Sequence, residues 1–317
     1  MRARLIVNPK AGANRGLALL PSIVERLRPL VPLLQIVEAG GIDDALRAAA
    51  QAAADGDALL FVAGGDGTLN AALRGVRAAG AAGAGPVIGV IPIGTGNDFA
   101  KALDLGETAE SAIDALLRAH TVDVDLGLLN DHAFVNTSAG GFVADVTATL
   151  TEGLKDATGK LAFVIGGVRA LFGTEPFEAE IRVGSDPGGA TARLTDAPVE
   201  LQMFAVCNAR FIGGGYVIAP DALLDDGLLD VVIVRRMPLW EFATVLQRMA
   251  TSGHPGDARV THFRTRELAM SFNRRVRANV DGELLETTEC HYTVAPRAVT
   301  FLCGERPHTA TPPRPLQ

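Results

Sequence analysis

A short glycine-rich loop constrains the fold of this chain more than any other feature of its sequence. The loop Gly64-Gly65-Asp66-Gly67-Thr68 comes just after the apolar run Ala58–Val62. Glycine lets a backbone turn sharply and approach a neighbour closely, and a helix that starts near Thr68 would direct free N–H groups at the same place. The loop therefore predicts a phosphate-binding turn in which Asp66 serves a magnesium ion or a reacting hydroxyl. The alternative is a tight strand-to-helix turn with Thr68 as its N-cap.

The same arrangement occurs again along the chain. The apolar run Val87–Ile91 ends at Pro92 and leads into Gly94-Thr95-Gly96-Asn97-Asp98-Phe99, followed by a helical-looking segment. A further loop, Asn8-Pro9-Lys10-Ala11-Gly12, also lies between a predicted strand and helix, and its lysine could face phosphate oxygens. In a parallel sheet such loops lie at the carboxyl ends of their strands, where ligands bind. We therefore predict that they hold one nucleotide.

The order of predicted elements indicates two domains. Strands and helices alternate over residues 1–124, as is typical of a parallel α/β sheet. Beyond them most segments read as strands separated by turns, so an N-terminal parallel α/β domain is expected to precede an all-β domain. Residues 305–317 contain four prolines and are predicted to form a disordered tail.

Composition and charge exclude several classes of protein. The 317-residue chain is 48% hydrophobic, which indicates a globular protein rather than a disordered one. Its net charge of −7 argues against general nucleic-acid binding. Three widely spaced cysteines provide neither a disulfide framework nor a zinc site, which suits a reducing cytosol. No segment is apolar over enough length to be a transmembrane helix or a signal peptide, so a soluble protein is predicted.

Two acidic turns in the second domain each allow a structural or a chemical interpretation. Asp226-Gly227 is either a hairpin turn or part of a site for a hard cation such as Mg²⁺. Asp281-Gly282-Glu283 is either another hairpin or a source of carboxylates for proton transfer or metal binding. Spacing alone leaves both alternatives open.

Taken together, these motifs resemble the diacylglycerol kinase family, and more closely its soluble bacterial lipid-kinase branch. The resemblance covers nearly the whole chain, from about residue 5 to about residue 303. Gly64–Thr68 alone is shared with NAD kinases and phosphofructokinases, whereas Gly94–Phe99 and the Asp226 and Asp281 motifs make the match specific. The other segments that carry it are Asn8-Pro9 with Gly12, Asp125-Leu126-Gly127, Phe211 with Gly213–Gly215, Ala219-Pro220, Asp226–Asp230 and Asp281-Gly282-Glu283.

The resemblance implies a particular architecture. A nucleotide domain of the NAD-kinase/phosphofructokinase type would span residues 1–124. A β-sandwich lipid-substrate domain would span residues 125–296, and about 297–304 would return as a last strand to the first domain. ATP would lie in the cleft between the two domains.

The resemblance also implies roles for individual residues. Asp66 and Asp98 would serve magnesium and the reacting phosphoryl group, and Glu283, with Asp281 beside it, would be the general base on a lipid hydroxyl. A structural magnesium would be held by the Asp226 side chain and the backbone carbonyls of Leu223 and Leu228. The implied ATP-binding residues are Asn8, Pro9, Lys10, Ala11, Gly12, Gly64, Gly65, Asp66, Gly67, Thr68, Leu69, Asn70, Gly94, Thr95, Gly96 and Asn97.

One segment of the chain departs from the family pattern, and the sequence does not specify which lipid is the substrate. The family often has a threonine after the second strand, where this chain has Glu38-Ala39-Gly40-Gly41. The lipid pocket is expected beside a helix near residues 161–172. The resemblance implies a cytoplasmic enzyme that touches the membrane transiently, as a peripheral protein, and it suggests a homodimer.

Two other functions remain as alternatives. The first is an NAD kinase or another small-alcohol kinase that uses the same Gly64–Thr68 loop. The second is a non-catalytic nucleotide-sensing module on the same fold. The Asp226 and Asp281 motifs argue against the first, and the presence of Asp66, Asp98 and Glu283 together argues against the second.

Overall fold

The computed structural model describes residues 2–80, 85–149, 173, 175–184, 191–252 and 257–316. The chain divides into two compact units. The first contains residues 1–125 and 296–317, and the second contains residues 126–295. The helix expected near residues 161–172 lies outside the described residues.

The first unit contains a parallel sheet with helices between its strands. Its strands pair in the order β2 (Leu33–Glu38), β1 (Arg2–Val7), β3 (Leu59–Gly64) and β4 (Val87–Pro92), all parallel. The C-terminal part of a later strand joins β4 in parallel at Phe301. All of β3 is buried, as expected for a strand covered on both faces. The elements are β1 (Arg2–Val7), α1 (Ala11–Leu27), β2 (Leu33–Glu38), α2 (Ile42–Ala54), β3 (Leu59–Gly64), α3 (Asp66–Ala78), β4 (Val87–Pro92), α4 (Asp98–Ala102) and α5 (Ala109–Leu116).

The second unit is built mainly from antiparallel strands. Its elements are β5 (His120–Leu129, which begins in the first unit), β6 (His132–Phe134), β7 (Thr137–Gly141), α6 (Phe142–Thr149), β8 (Phe177–Gly184), β9 (Thr191–Arg193), β10 (Val199–Cys207), β11 (Phe211–Ile212), β12 (Tyr216–Val217), β13 (Leu229–Arg235), α7 (Leu239–Ser252), β14 (Val260–Thr265), β15 (Glu267–Val280) and β16 (Glu283–Cys303, which ends in the first unit). The order β14–β13–β10–β7–β15–β16 forms its main sheet. The arrangement of its strands as a sandwich stays a prediction.

Packing of aromatic side chains organises the interior of the second unit. Phe177 makes edge-to-face contacts with Phe204 and Phe272, at centroid distances of 6.2 and 5.5 Å. Phe204 and Phe272 stack at 5.7 Å. Such pairs add to the free energy gained by burying the rings. These rings fix β8, β10 and β15 against one another.

The last residues of the chain differ from the prediction of a disordered tail. A short strand, β17 (Arg314–Pro315), pairs with β5 at Thr121 and His120, and Arg314 forms an ion pair of 2.7 Å with Asp123. Proline lacks an amide donor and is tolerated in an edge strand. The proline content that suggested disorder is therefore compatible with an ordered edge.

The helices are short or amphipathic rather than long and apolar. Among the residues with described structure, none of the helices combines the length and apolar character needed to cross a bilayer.

Candidate active site

The parallel sheet brings the three predicted loops to one edge. Val7 of β1 lies opposite Ala63 of β3, and Gly64 lies opposite Pro92 of β4. The loops that follow these strands therefore begin side by side. Asn8 donates its side-chain amide to Thr68 Oγ1 at 3.0 Å, which joins the first loop to the second. Lys10, on the first loop, is exposed to solvent.

Three of the loop glycines are required because a Cβ atom there would clash with neighbouring residues. A Cβ atom on Gly94 would lie 2.6 Å from Gly65 Cα, and one on Gly64 would lie 2.7 Å from the Thr68 side chain. At Gly12, φ is +60° and a Cβ would lie 2.2 Å from the Ile93 carbonyl oxygen. Gly67 is different, because an added Cβ would meet nothing within 4 Å. It therefore borders open space.

Asp66 connects the two glycine loops directly. It stands in the first turn of α3, whose N-cap is Gly65, so the alternative with Thr68 as N-cap is wrong. Its Oδ2 accepts the Asp98 amide at 3.1 Å and its Oδ1 accepts the Phe99 amide at 3.2 Å. A carboxylate on the first amides of a helix satisfies donors that have no partner within the helix. Asp66 therefore holds the start of α4 in place.

Asp98 is buried beside a lysine that none of the sequence motifs indicated. Lys101 Nζ donates to the Gly96 carbonyl oxygen at 3.0 Å and lies 3.6 Å from Asp98 Oδ1. Asn97 takes a left-handed conformation with φ of 52° and donates to the Gly94 carbonyl oxygen at 2.7 Å. The spacing of Asp98 and Lys101 along one helical turn is the signal that could have identified the lysine.

Asp281 of the second unit has its carboxylate occupied by backbone amides. Its Oδ2 accepts from Val135 at 2.7 Å, and its Oδ1 accepts from Asn136 at 3.1 Å and Thr137 at 2.9 Å. Its own φ is 46°, in the left-handed region that aspartate tolerates better than most residues. This arrangement fixes the turn between β15 and β16. Glu283, two residues later, is the half-buried first residue of β16.

A buried pair of hydroxyl groups joins β7 to β16. Ser138 Oγ and Tyr292 Oη are 2.9 Å apart, and neither side chain is exposed to solvent. Burial raises the pKa of Tyr292 well above its usual value. The phenol therefore remains protonated at physiological pH and connects the two strands through a neutral hydrogen bond.

Comparisons with known proteins agree with this arrangement. A model of the diacylglycerol kinase catalytic domain matches residues 2–129, and a model of the YegS C-terminal NAD kinase beta sandwich-like domain matches residues 137–303. A Shewanella frigidimarina protein named "Probable lipid kinase YegS-like" is 30% identical over 82% of this chain and 81% of its own length. The chain belongs to the diacylglycerol kinase family. Its sequence resemblance to the bacterial lipid-kinase branch is thereby confirmed.

Other members support the same family assignment. The diacylglycerol kinase of Bacillus subtilis is 29% identical, with 89% of each chain covered. A crystal structure of a diacylglycerol kinase from Bacillus anthracis (strain Sterne) has the same fold, with a TM-score of 0.72 at 22% identity, covering 96% of this chain and 97% of that one. A second crystal structure from that strain reaches a TM-score of 0.80 at 24% identity. As a member of the diacylglycerol kinase family, this protein is a kinase, an enzyme that transfers phosphoryl groups.

The implied metal sites fit the residues present by the chemistry of their donors. The Asp66 carboxylate contacts the backbone amide of Asp98, and both residues carry hard oxygen donors of the kind that suit Mg²⁺. In the second unit, Asp226 Oδ1 accepts the Leu228 amide at 3.0 Å and so closes a tight loop. In the part of the chain with described structure, no three acidic, histidine or cysteine side chains are placed so that they could together hold a metal ion. Magnesium is commonly bound by one or two carboxylates together with carbonyl oxygens and water, so a magnesium site at the Asp226 loop does not require three such side chains.

An arginine that none of the sequence motifs indicated lies against the acidic loop. Arg264 Nη1 lies 3.9 Å from Asp226 Oδ2, and its Nε lies 3.3 Å from Asp230 Oδ1. Arg264 also donates to the Asp221 carbonyl oxygen at 2.6 Å. It therefore bridges both ends of the loop. No local pattern marks this arginine, because β14 lies far along the chain from these residues.

Replacing Asp281 tests whether its main role is to hold the turn. Asp281→Ala removes the acceptor of three backbone amides and puts alanine at a positive φ, so we expect a loss of about 2–4 kcal/mol in the free energy of unfolding. Chemical denaturation followed by circular dichroism measures this loss. Asp196 is exposed, so Asp196→Ala is the matched control. Its free energy of unfolding is expected to lie within about 0.5 kcal/mol of the wild-type value. Equal stability of the two variants would contradict the structural role.

Proposed function

We propose that this protein transfers the γ-phosphate of MgATP to the hydroxyl group of a membrane lipid such as diacylglycerol. The observation that carries this proposal is the bridge from Asp66 to the amides of Asp98 and Phe99, which joins two glycine loops into one unit at a sheet edge. That edge lies within the region matched by the diacylglycerol kinase catalytic domain. Phosphoryl transfer needs positioning and charge stabilisation more than covalent chemistry, and such loops can provide both.

The nucleotide phosphates are proposed to bind at the N-terminus of α3. This helix is 13 residues long and begins at Asp66, so its first amides and its dipole favour an anion there. Gly67 leaves space beside those amides. Exposed Thr95 and Lys10 would contact the phosphates from the neighbouring loops. The remaining residues of the three loops, from the Asn8, Gly64 and Gly94 segments, would complete the ATP site.

Glu283 is proposed as the general base on the lipid hydroxyl. Asp281 lies beside it, but that carboxylate already accepts three backbone amides. We therefore assign Asp281 to positioning the turn and Glu283 to proton transfer. A positioned carboxylate in this role contributes about 10²–10⁴-fold to rate.

Two magnesium roles complete the proposal. When bound, a catalytic Mg²⁺ would neutralise charge on the phosphates. Asp66 and Asp98 would hold it. Asp226, with the carbonyls of Leu223 and Leu228, would hold a structural Mg²⁺. Transient contact with a lipid surface and formation of a homodimer also belong to this proposal.

A coupled assay of ADP formation separates the proposed activity from its alternatives. The protein with Mg²⁺ and ATP is offered diacylglycerol in mixed micelles, NAD, or no acceptor. ADP release that requires diacylglycerol supports a lipid kinase. Release that requires NAD would establish the NAD kinase alternative. ATP binding without ADP release on any alcohol would favour the nucleotide-sensing alternative.

Gly67→Val tests the nucleotide site without disturbing the fold. Its side chain would enter open space, so we expect unchanged thermal stability but at least about tenfold weaker ATP binding, because the methyl groups obstruct the α3 amides. Isothermal titration calorimetry measures the affinity. The comparison variant Gly94→Val would clash with Gly65 and is expected to unfold at lower temperature. If Gly67→Val binds ATP as tightly as the wild type, the phosphates do not bind at the N-terminus of α3.

A further inference from the structure

A single tryptophan projects from the start of α7. Trp240 is the chain's only tryptophan, and 72% of its surface is exposed. Large side chains of this type normally bury most of their surface. The buried face of α7 is made by Phe242 and Val245, and Phe242 packs edge-to-face on Phe142 at 5.1 Å. Trp240 projects away from this buried face, so packing within the unit does not account for it.

Basic side chains accompany this tryptophan. Arg235 and Arg236 are exposed at the end of β13, a few residues before Trp240. Arg236 pairs with Glu200 at 3.0 Å, whereas Arg235 makes no ion pair with any residue that the structure describes. We define Arg235, Arg236 and Trp240 as the Trp240 patch. Tyr216, on β12, which packs against α7, is a further exposed aromatic at 48%.

Two acidic groups near the patch share one arginine. Glu241, the residue after Trp240, forms an ion pair with Arg259. Asp257 also pairs with Arg259, at 3.1 Å, and this bond lowers the pKa of the Asp257 carboxyl. Arg248, on α7, also lowers the pKa of the Asp257 carboxyl. The region therefore carries a formal charge of +1, although the chain as a whole carries −7, because four arginines accompany three carboxylates. These are Arg235, Arg236, Arg248 and Arg259 against Glu200, Glu241 and Asp257.

We infer that the Trp240 patch is a docking surface for an anionic lipid bilayer. This inference rests on the proposed function, because a lipid alcohol must be reached at a membrane surface. Tryptophan rings prefer the boundary between headgroups and acyl chains, and arginine is attracted to anionic headgroups. A chain of net negative charge is repelled by such a surface overall. Contact must then occur through a local patch that combines an apolar ring with positive charge.

The intrinsic tryptophan fluorescence of the protein reports on this contact alone, because Trp240 is its only tryptophan. Wild-type protein without nucleotide is mixed with vesicles of phosphatidylcholine and phosphatidylglycerol, or of phosphatidylcholine alone. We expect a blue shift of emission with the anionic vesicles, and quenching when brominated lipids replace ordinary ones. Unchanged emission at saturating anionic lipid would overturn the inference.

Variants assign the binding to individual residues of the patch. In co-sedimentation, Trp240→Ala is expected to lower vesicle affinity by about tenfold or more. Arg235→Ala is expected to lower it by about fivefold on anionic vesicles only. The control Leu33→Ala truncates another exposed apolar side chain, on β2 of the first unit, and should bind as wild type. Equal losses for Leu33→Ala and Trp240→Ala would overturn the assignment.

Two further readouts distinguish membrane docking from a role of Trp240 in catalysis or in dimer formation. With a water-soluble short-chain diacylglycerol, Trp240→Ala should retain wild-type turnover. If the wild type inserts Trp240 into vesicles but phosphorylates no lipid, the docking surface stands and the proposed function fails. If Trp240→Ala instead converts a dimer into a monomer in analytical ultracentrifugation, the patch is an interface between copies and the inference fails.

Discussion

Replacing Glu283 by glutamine is expected to lower kcat by about 10²–10⁴-fold. Glutamine has nearly the same shape but cannot accept a proton from the lipid hydroxyl, so the KM for ATP should change little. Glu283 is half-buried at the first position of β16, and thermal stability should also be retained. Steady-state kinetics with diacylglycerol in mixed micelles measures both constants.

The same hairpin provides a matched control for this substitution. Glu286 is exposed and lies 3.5 Å from Arg277 on the paired strand. Such surface ion pairs contribute little to stability, and Glu286→Gln should leave both kcat and stability near wild type. A Glu283→Gln enzyme with near-wild-type turnover would remove Glu283 from the role of general base.

Replacing Asp66 by asparagine is expected to reduce activity by about 10²-fold or more and also to destabilise the first unit. The two carboxylate oxygens of Asp66 each accept one backbone amide, from Asp98 and from Phe99. Asparagine keeps one of these oxygens but has an NH₂ group, which cannot accept, in place of the other. The lost charge-assisted bond corresponds to about 1–3 kcal/mol. Misplacement of the Gly94 loop by about 1 Å is enough to account for the loss of rate.

A substitution at Asp104 serves as the control that distinguishes loss of stability from loss of activity. Its carboxylate accepts the Arg306 amide at 2.9 Å, away from the glycine loops but in the same unit. Asp104→Asn should therefore lose stability similarly and keep its turnover. In Asp66→Asn, the Mg²⁺ concentration needed for half-maximal activity should also rise, because the same carboxylate is proposed to serve the metal. Full activity in Asp66→Asn would contradict both the positioning and the metal role.

The parts of the fold with a strong local pattern could be predicted from the sequence. The apolar runs Ala58–Val62 and Val87–Ile91, each followed by a glycine loop, were sufficient to predict the parallel strands β3 and β4. Strand continuity was harder to predict. The segment 267–280 reads as two strands, but it is the single strand β15 with a register irregularity between Ser271 and Val276. A bulge interrupts the pattern of side chains without ending the strand.

The bonds that organise the candidate site could not be predicted. Asp66 and Asp281 were identified as acidic residues in conspicuous motifs, yet both have backbone amides as partners. Backbone amides leave no mark in a sequence, and those of Val135 and Thr137 are 146 and 144 residues from Asp281. The close approach of Gly65 and Gly94 could not be predicted from the sequence either, because the two loops meet only in the folded chain.

The most direct test of the central claim follows the phosphate itself. Wild-type protein and Glu283→Gln are incubated with Mg²⁺ and diacylglycerol vesicles, in parallel reactions containing ATP labelled at the γ- or the α-phosphate. The account predicts that label from γ-labelled ATP enters the organic phase as phosphorylated diacylglycerol, that α-labelled ATP gives none, and that Glu283→Gln transfers about a hundredfold less or lower still. Absence of labelled lipid with the wild-type protein, while ADP still accumulates with NAD as acceptor, would contradict it.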